Sequence, residues 1–116
     1  MNNFSDIDIN FYNNMFFDYQ NKKLSILPTF NAILMNDLKY IDDYLKVKYI
    51  YKNVTLQTGL MLACYIGNID MVKKLISKEV GYIDLYDRNA LFYAYNSINK
   101  NKEIIDLLKK YEFINL

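Results

Sequence analysis

The chain has 116 residues, 53% of them hydrophobic, with three glycines and one proline. That length supports one folded domain with its own core, and the composition excludes a disordered or loop-dominated chain. Fourteen Lys and Arg against thirteen Asp and Glu leave a formal charge of +1, so no long-range field draws in phosphate backbones or anionic membranes, and neither nucleic acid nor membrane is expected as a partner.

Residues 1–6 lack the basic start and apolar stretch of a secretory signal. The longest apolar run, residues 60–66, falls far short of the roughly 20 residues that span a bilayer. A cytoplasmic setting is expected. Residues 1–23 carry Phe11, Met15, Phe16 and Tyr19 at helical spacing behind Ser5-x-x-Asp8, a capping-box spacing, which predicts an N-terminal capping helix from about residue 6 to about residue 20. Pro28 suits the first turn of a helix over 28–35, followed by another over 38–46. Residues 46–57 are rich in β-branched and aromatic side chains and read as an extended or hairpin-like finger ending at an N-cap residue, Thr58.

From Thr58 onward the chain repeats itself. Thr58-Gly59-Leu60-Met61-Leu62-Ala63-Cys64 returns as Asn89-Ala90-Leu91-Phe92-Tyr93-Ala94-Tyr95, with the leucines 31 residues apart (91 − 60). The helix that follows, with Ile69, Val72, Leu75 and Ile76 as its stripe, is echoed by residues 102–108, and the pairing of Leu75 with Leu107 predicts one inserted residue. Residues 29–45 are a worn copy in which Leu45 pairs with Leu75. A fixed period of this size predicts stacked helical hairpins, with Gly67-Asn68 supplying the turn between the two helices of the clearest unit. The units are 24–57, degenerate, 58–88, clear, and 89–116, terminal.

Catalytic chemistry has little to draw on. Histidine is absent and Cys64 is the sole thiol, placed on the apolar face of a helix where a structural role is expected. The carboxylate pairs Asp42-Asp43 and Asp84/Asp87 lack the alternating ligands and glycine of a calcium loop. No catalytic residue, cofactor site, metal site or small-molecule substrate is expected.

The pattern resembles the ankyrin repeat, carried by Thr58, Leu60, Ala63, Gly67, Val72, Leu75 and Ile76. Gly59 and Met61 depart from the Thr-Pro-Leu-His form, and Met61 and Phe92 look like a shorter Thr-Ala-Leu-Met variety. In the terminal unit Asn89 replaces the Thr, and Tyr95 fills the slot of Cys64. The resemblance implies an all-α solenoid of helical hairpins with short loop or β-hairpin fingers, acting as a non-catalytic module that binds an unknown protein through its concave face and fingers. On that pattern Leu62, Tyr65, Tyr93 and Asn96 fall at outward positions of the first helices, with Tyr82 and Tyr86 in a finger. Twelve tyrosines in the chain fit such a surface, because tyrosine offers rigid contact area with a polar end. The alternative is a regulatory domain or fragment of a larger enzyme such as a kinase, as ankyrin arrays in protists often resemble; the initiator Met1 and the capped last unit favour the free-standing reading.

Overall fold

Every helix but the first begins where a short polar side chain can take up backbone donors that the first turn leaves open. The computed structural model describes residues 28–112. In chain order its helices are α1 (Pro28–Leu34), α2 (Leu38–Tyr44), α3 (Gly59–Ile66), α4 (Ile69–Glu79), α5 (Ala90–Tyr95) and α6 (Lys102–Glu112). Thr58 caps α3 by accepting from the Met61 N–H at 3.3 Å, and the Met61 sulfur accepts in return from the Thr58 N–H. Asp37, Asn68, Asn89 and Asn101 do the same service for α2, α4, α5 and α6.

The caps fix the true register of the repeat. Asp37 accepts from Tyr40 and Asn68 from Met71, so α2 and α4 differ by the same 31 positions (68 − 37) as the first helices. Tyr44, not Leu45, is therefore the counterpart of Leu75, and both are buried while Leu45 is half-buried. Asn101 accepts from Ile104, which sets α6 33 positions behind α4 (101 − 68). Its buried residues are Ile104 and Leu108, matching Met71 and Leu75. Two residues, rather than one, are inserted before α6, and Leu107 is half-buried.

The helices stack in two layers. α1, α3 and α5 pack side by side in one, α2, α4 and α6 in the other, and each hairpin ties a member of one layer to its neighbour behind. All eight residues of α3 are buried, because α1 and α5 flank it and α4 backs it. Two glycines make the close approaches possible. A Cβ on Gly59 would sit 2.8 Å from the Ile33 Cδ1 of the preceding unit, and one on Gly67 would sit 2.7 Å from the Asn99 carbonyl oxygen of the next. Gly67 also ends α3 at φ +77°, a backbone region costly to any residue with a Cβ. Among the described residues there is no strand, so the fold is an all-α repeat solenoid. The expected helix within residues 1–23 and the tail 113–116 lie outside the described residues.

Candidate functional site

Between the hairpins, residues 45–58 and 80–89 form two projecting fingers without regular strands; a single antiparallel bridge pairs Lys52 with Thr58. A polar side chain organises each tip. In the first finger Asn53 Oδ1 accepts from the backbone N–H groups of Thr55 (3.1 Å) and Gln57 (2.9 Å). In the second, Asp84 Oδ1 accepts from those of Tyr86 (2.8 Å) and Arg88 (3.0 Å). The two turns keep the 31-residue period atom for atom: the Leu56 N–H donates to the Asn53 carbonyl as the Asp87 N–H donates to that of Asp84. Leu56 and Asp87 both take positive φ, +62° and +59°. That conformation is unusual for a leucine and is held by the turn around it. The tips join where the Leu85 N–H donates to the Thr55 carbonyl at 3.0 Å, and Lys52 Nζ lies 4.4 Å from the Tyr82 ring centroid.

Two buried carboxylates anchor the fingers to the helices. The Asp84 side chain accepts from the Tyr93 hydroxyl and, at 2.7 Å, from Arg88 Nε, while Gln57 Nε2 donates to the Tyr93 hydroxyl at 2.7 Å. One tyrosine on α5 thus holds the bases of both fingers. Burial alone would push the Asp84 carboxyl up, but hydrogen bonds from Tyr93, Arg88 and Tyr86 outweigh it and hold the group below the usual carboxylate range. Burial, with Asp84 adding to it, pushes the Tyr93 hydroxyl well up. At the first finger, Glu79 accepts from the Leu60 N–H at 2.7 Å and from the Tyr44 hydroxyl. Burial raises the Glu79 carboxyl, and the Tyr44 and Leu60 hydrogen bonds only partly offset it. Lys78 Nζ donates to the carbonyls of Tyr44 (2.6 Å) and Val47 (2.7 Å).

What the fingers present outward is apolar. Eight of the thirteen large hydrophobic side chains exposed among the described residues belong to them: Val47, Tyr49, Tyr51, Val54 and Leu56 in the first, Ile83, Leu85 and Tyr86 in the second. Tyr49 is 71% exposed, Tyr86 65% and Leu85 59%. Arg88 lies 4.9 Å from the Tyr86 ring centroid. The cationic and acidic side chains of the outer helices instead pair across units, Lys74 with Asp42 at 2.6 Å and Lys73 with Glu103 at 3.2 Å.

The structure divides the six residues that the resemblance placed on the surface. Leu62, Tyr65 and Tyr93 are core residues, 0%, 3% and 0% exposed, and the outward role expected of them is corrected. The reason is the enclosure of α3: the Tyr65 ring meets the Tyr93 ring edge-on at 6.2 Å, and desolvation pushes the Tyr65 hydroxyl up to about 12. Asn96 is exposed, but its side chain donates to the Phe92 carbonyl at 2.8 Å and so finishes its own helix. Tyr82 is half-buried and Tyr86 exposed. The sequence reading passed over Tyr49, Leu85 and Ile83, although the paired motifs Asn53-x-Thr55 and Asp84-x-Tyr86 mark the turns that display their neighbours.

Cys64 is buried, and no group of three or more His, Cys, Asp or Glu side chains among the described residues could hold a metal ion. No described helix is long and apolar enough to cross a membrane. A family model described as ankyrin repeats, three copies, matches residues 30–116; neither a curated protein nor a solved structure matches the chain. Ankyrin repeats are generally protein–protein interaction modules and typically non-catalytic. Three capped hairpins stacked in two layers, with fingers recurring in step, are what that match covers, and the chain belongs to the ankyrin-repeat family.

Proposed function

We propose that this chain is a non-catalytic module that binds another protein through the outer face of its two fingers, with Tyr49, Leu85 and Tyr86 as the central contacts and Tyr82 at their edge. The carrying observation is the concentration of exposed apolar side chains on two hydrogen-bonded tips, on a molecule whose other charged faces are paired and solvated. Exposed apolar side chains gathered on a few segments mark interaction sites, and tyrosine is enriched where binding energy concentrates. The near-neutral charge of the whole chain argues for a protein rather than a nucleic acid or an anionic membrane, and a buried lone thiol suits a reducing cytoplasm.

A photoreactive amino acid placed at Leu85 or Tyr49 is expected to trap a protein in the native cell, whereas the same group at Ser77, on the exposed side of α4, should not. Equal trapping at both places, or trapping at Ser77 alone, would remove the finger face as the binding surface.

A further inference from the structure

Beside the first finger lies a half-enclosed groove of about 320 Å³ lined by Pro28, Thr29, Tyr40, Tyr51 and Lys52. Its volume is at the low end for ligand sites, which suits one or two side chains rather than a cofactor. The walls are fixed before anything binds. Tyr51 stacks on Tyr44 with centroids 5.3 Å apart and planes at 22°, its N–H donates to the Tyr44 hydroxyl at 3.1 Å, and Tyr44 is in turn held by Glu79. Pro28 and Tyr40 are set by the starts of α1 and α2. A preformed aromatic floor spares the entropy of arranging it at binding.

Among the described residues Lys52 is the only charged side chain that lines it, and Lys48 precedes it in a stretch, residues 44–69, that contains no Asp or Glu, while Asp43, beside the neighbouring cleft that shares Tyr40 and Tyr51, is paired with Lys46 at 3.8 Å. Aromatic grooves accept proline-bearing segments because the polyproline II conformation is preformed and presents flat apolar rings. Lysine and tyrosine hydroxyls add donors suited to a carboxylate. We infer that this groove takes an acidic, proline-bearing peptide segment, with prolines against Tyr40 and Tyr51 and a carboxylate at Lys52. The inference rests on the protein-binding reading above and names the partner chemistry of one part of that surface.

The probe is a capped hexapeptide of alternating Glu and Pro, with Gln-Pro and Lys-Pro counterparts, titrated into the isotope-labelled full chain and followed by amide NMR. The Glu peptide should shift the amides of Thr29, Tyr40, Tyr51 and Lys52 and bind about fivefold more tightly than the Gln peptide, the Lys peptide being weakest. Lys52→Gln should remove the preference for Glu over Gln while keeping proline binding. Tyr40→Ala, at an exposed position, should abolish binding of all three with the melting temperature nearly unchanged. Equal affinity for the three peptides, shifts that cluster elsewhere, or no binding at millimolar peptide overturns the inference. So does self-association of the chain that Tyr40→Ala abolishes while the peptides fail to bind, since a second copy would then be the occupant. Cross-links at Leu85 that persist while the peptides fail would retire the groove alone; peptide binding without those cross-links would retire the finger face alone.

Discussion

Tyr93 shows how much of this molecule hangs on single polar contacts inside an apolar layer. Its hydroxyl donates a hydrogen bond to Asp84 and accepts one from Gln57, so Tyr93→Phe leaves two buried polar groups short of a partner at once. The expected loss is about 1–3 kcal/mol by urea unfolding, with a rise in the pH of acid unfolding. The sign follows from the depressed carboxyl of Asp84: its contribution is complete above the ordinary aspartate value, about 3.9, and is lost as pH falls through the lower native value. Without the Tyr93 donor that native value climbs, and acid unfolding should begin at higher pH. An unchanged acid midpoint would mean the Tyr93 hydroxyl is not what holds Asp84 ionised. Glu79 works in the opposite sense, because its native carboxyl is raised. Its contribution is complete below the ordinary glutamate value, about 4.3, and fades as pH rises through the raised native one. Glu79→Gln can still accept from the Leu60 N–H, so it should flatten the decline in stability above that value when unfolding is compared at pH 5 and pH 8. The same decline in both proteins would assign it to another group.

At the level of helices and turns, the sequence was most legible where geometry depends on a repeated cap or a buried stripe. The spans predicted at 28–35 and 38–46 end one or two residues sooner, at Leu34 and Tyr44, and Gly67 closes α3 in the expected left-handed turn. Register was less legible in the outer helices, since matching leucine to leucine paired Leu45 and Leu107 with Leu75. The caps show that a tyrosine holds the slot in α2 and that two inserted residues shift α6. The candidate surface was least legible, because exposure of a first-helix residue depends on what packs over it, and no spacing within α3 announces that all its sides are covered. The same reasoning separates two leucines that look equivalent in sequence. Leu60 is fully buried and Leu91 only partly, so Leu60→Ala should cost about 2–5 kcal/mol and Leu91→Ala distinctly less. Equal losses in denaturant unfolding would show that the α5 side of the stack is as closed as its centre. Asn68→Ala tests the caps directly, with an expected cost of about 1 kcal/mol and some added loss from the 2.9 Å bond to Asn36.

On the scale of the whole array, each helical hairpin packs mainly on the next, so stability approximates a sum of hairpin terms and interfaces, to which the Gln57–Tyr93 bond adds a direct link from the first unit to the last. The interfaces are not alike. The first-layer helices α3 and α5 are bound by the Tyr65–Tyr93 contact, by the Ser97 hydroxyl that donates to the Tyr65 carbonyl at 2.7 Å, and by the finger network around Asp84. In the outer layer α6 packs on α4 less extensively than α5 does on α3, with an exposed ion pair between Lys73 and Glu103 that contributes little in water. α6 is therefore the element expected to open first. Leu108→Ala, which empties a fully buried position on that helix, should speed hydrogen exchange at the amides of Lys102–Glu112 while those of Gly59–Ile66 keep their wild-type rates. Loosening α6 leaves the fingers in place, since Asp84 and Glu79 draw their partners from α2, α3 and α5 and from the fingers themselves. The finger face should then keep its cross-linking at Leu85 in the Leu108→Ala chain. Exchange accelerated equally in every helix, with cross-linking lost in parallel, would show that the three hairpins open as one unit and that the binding face has no independent support.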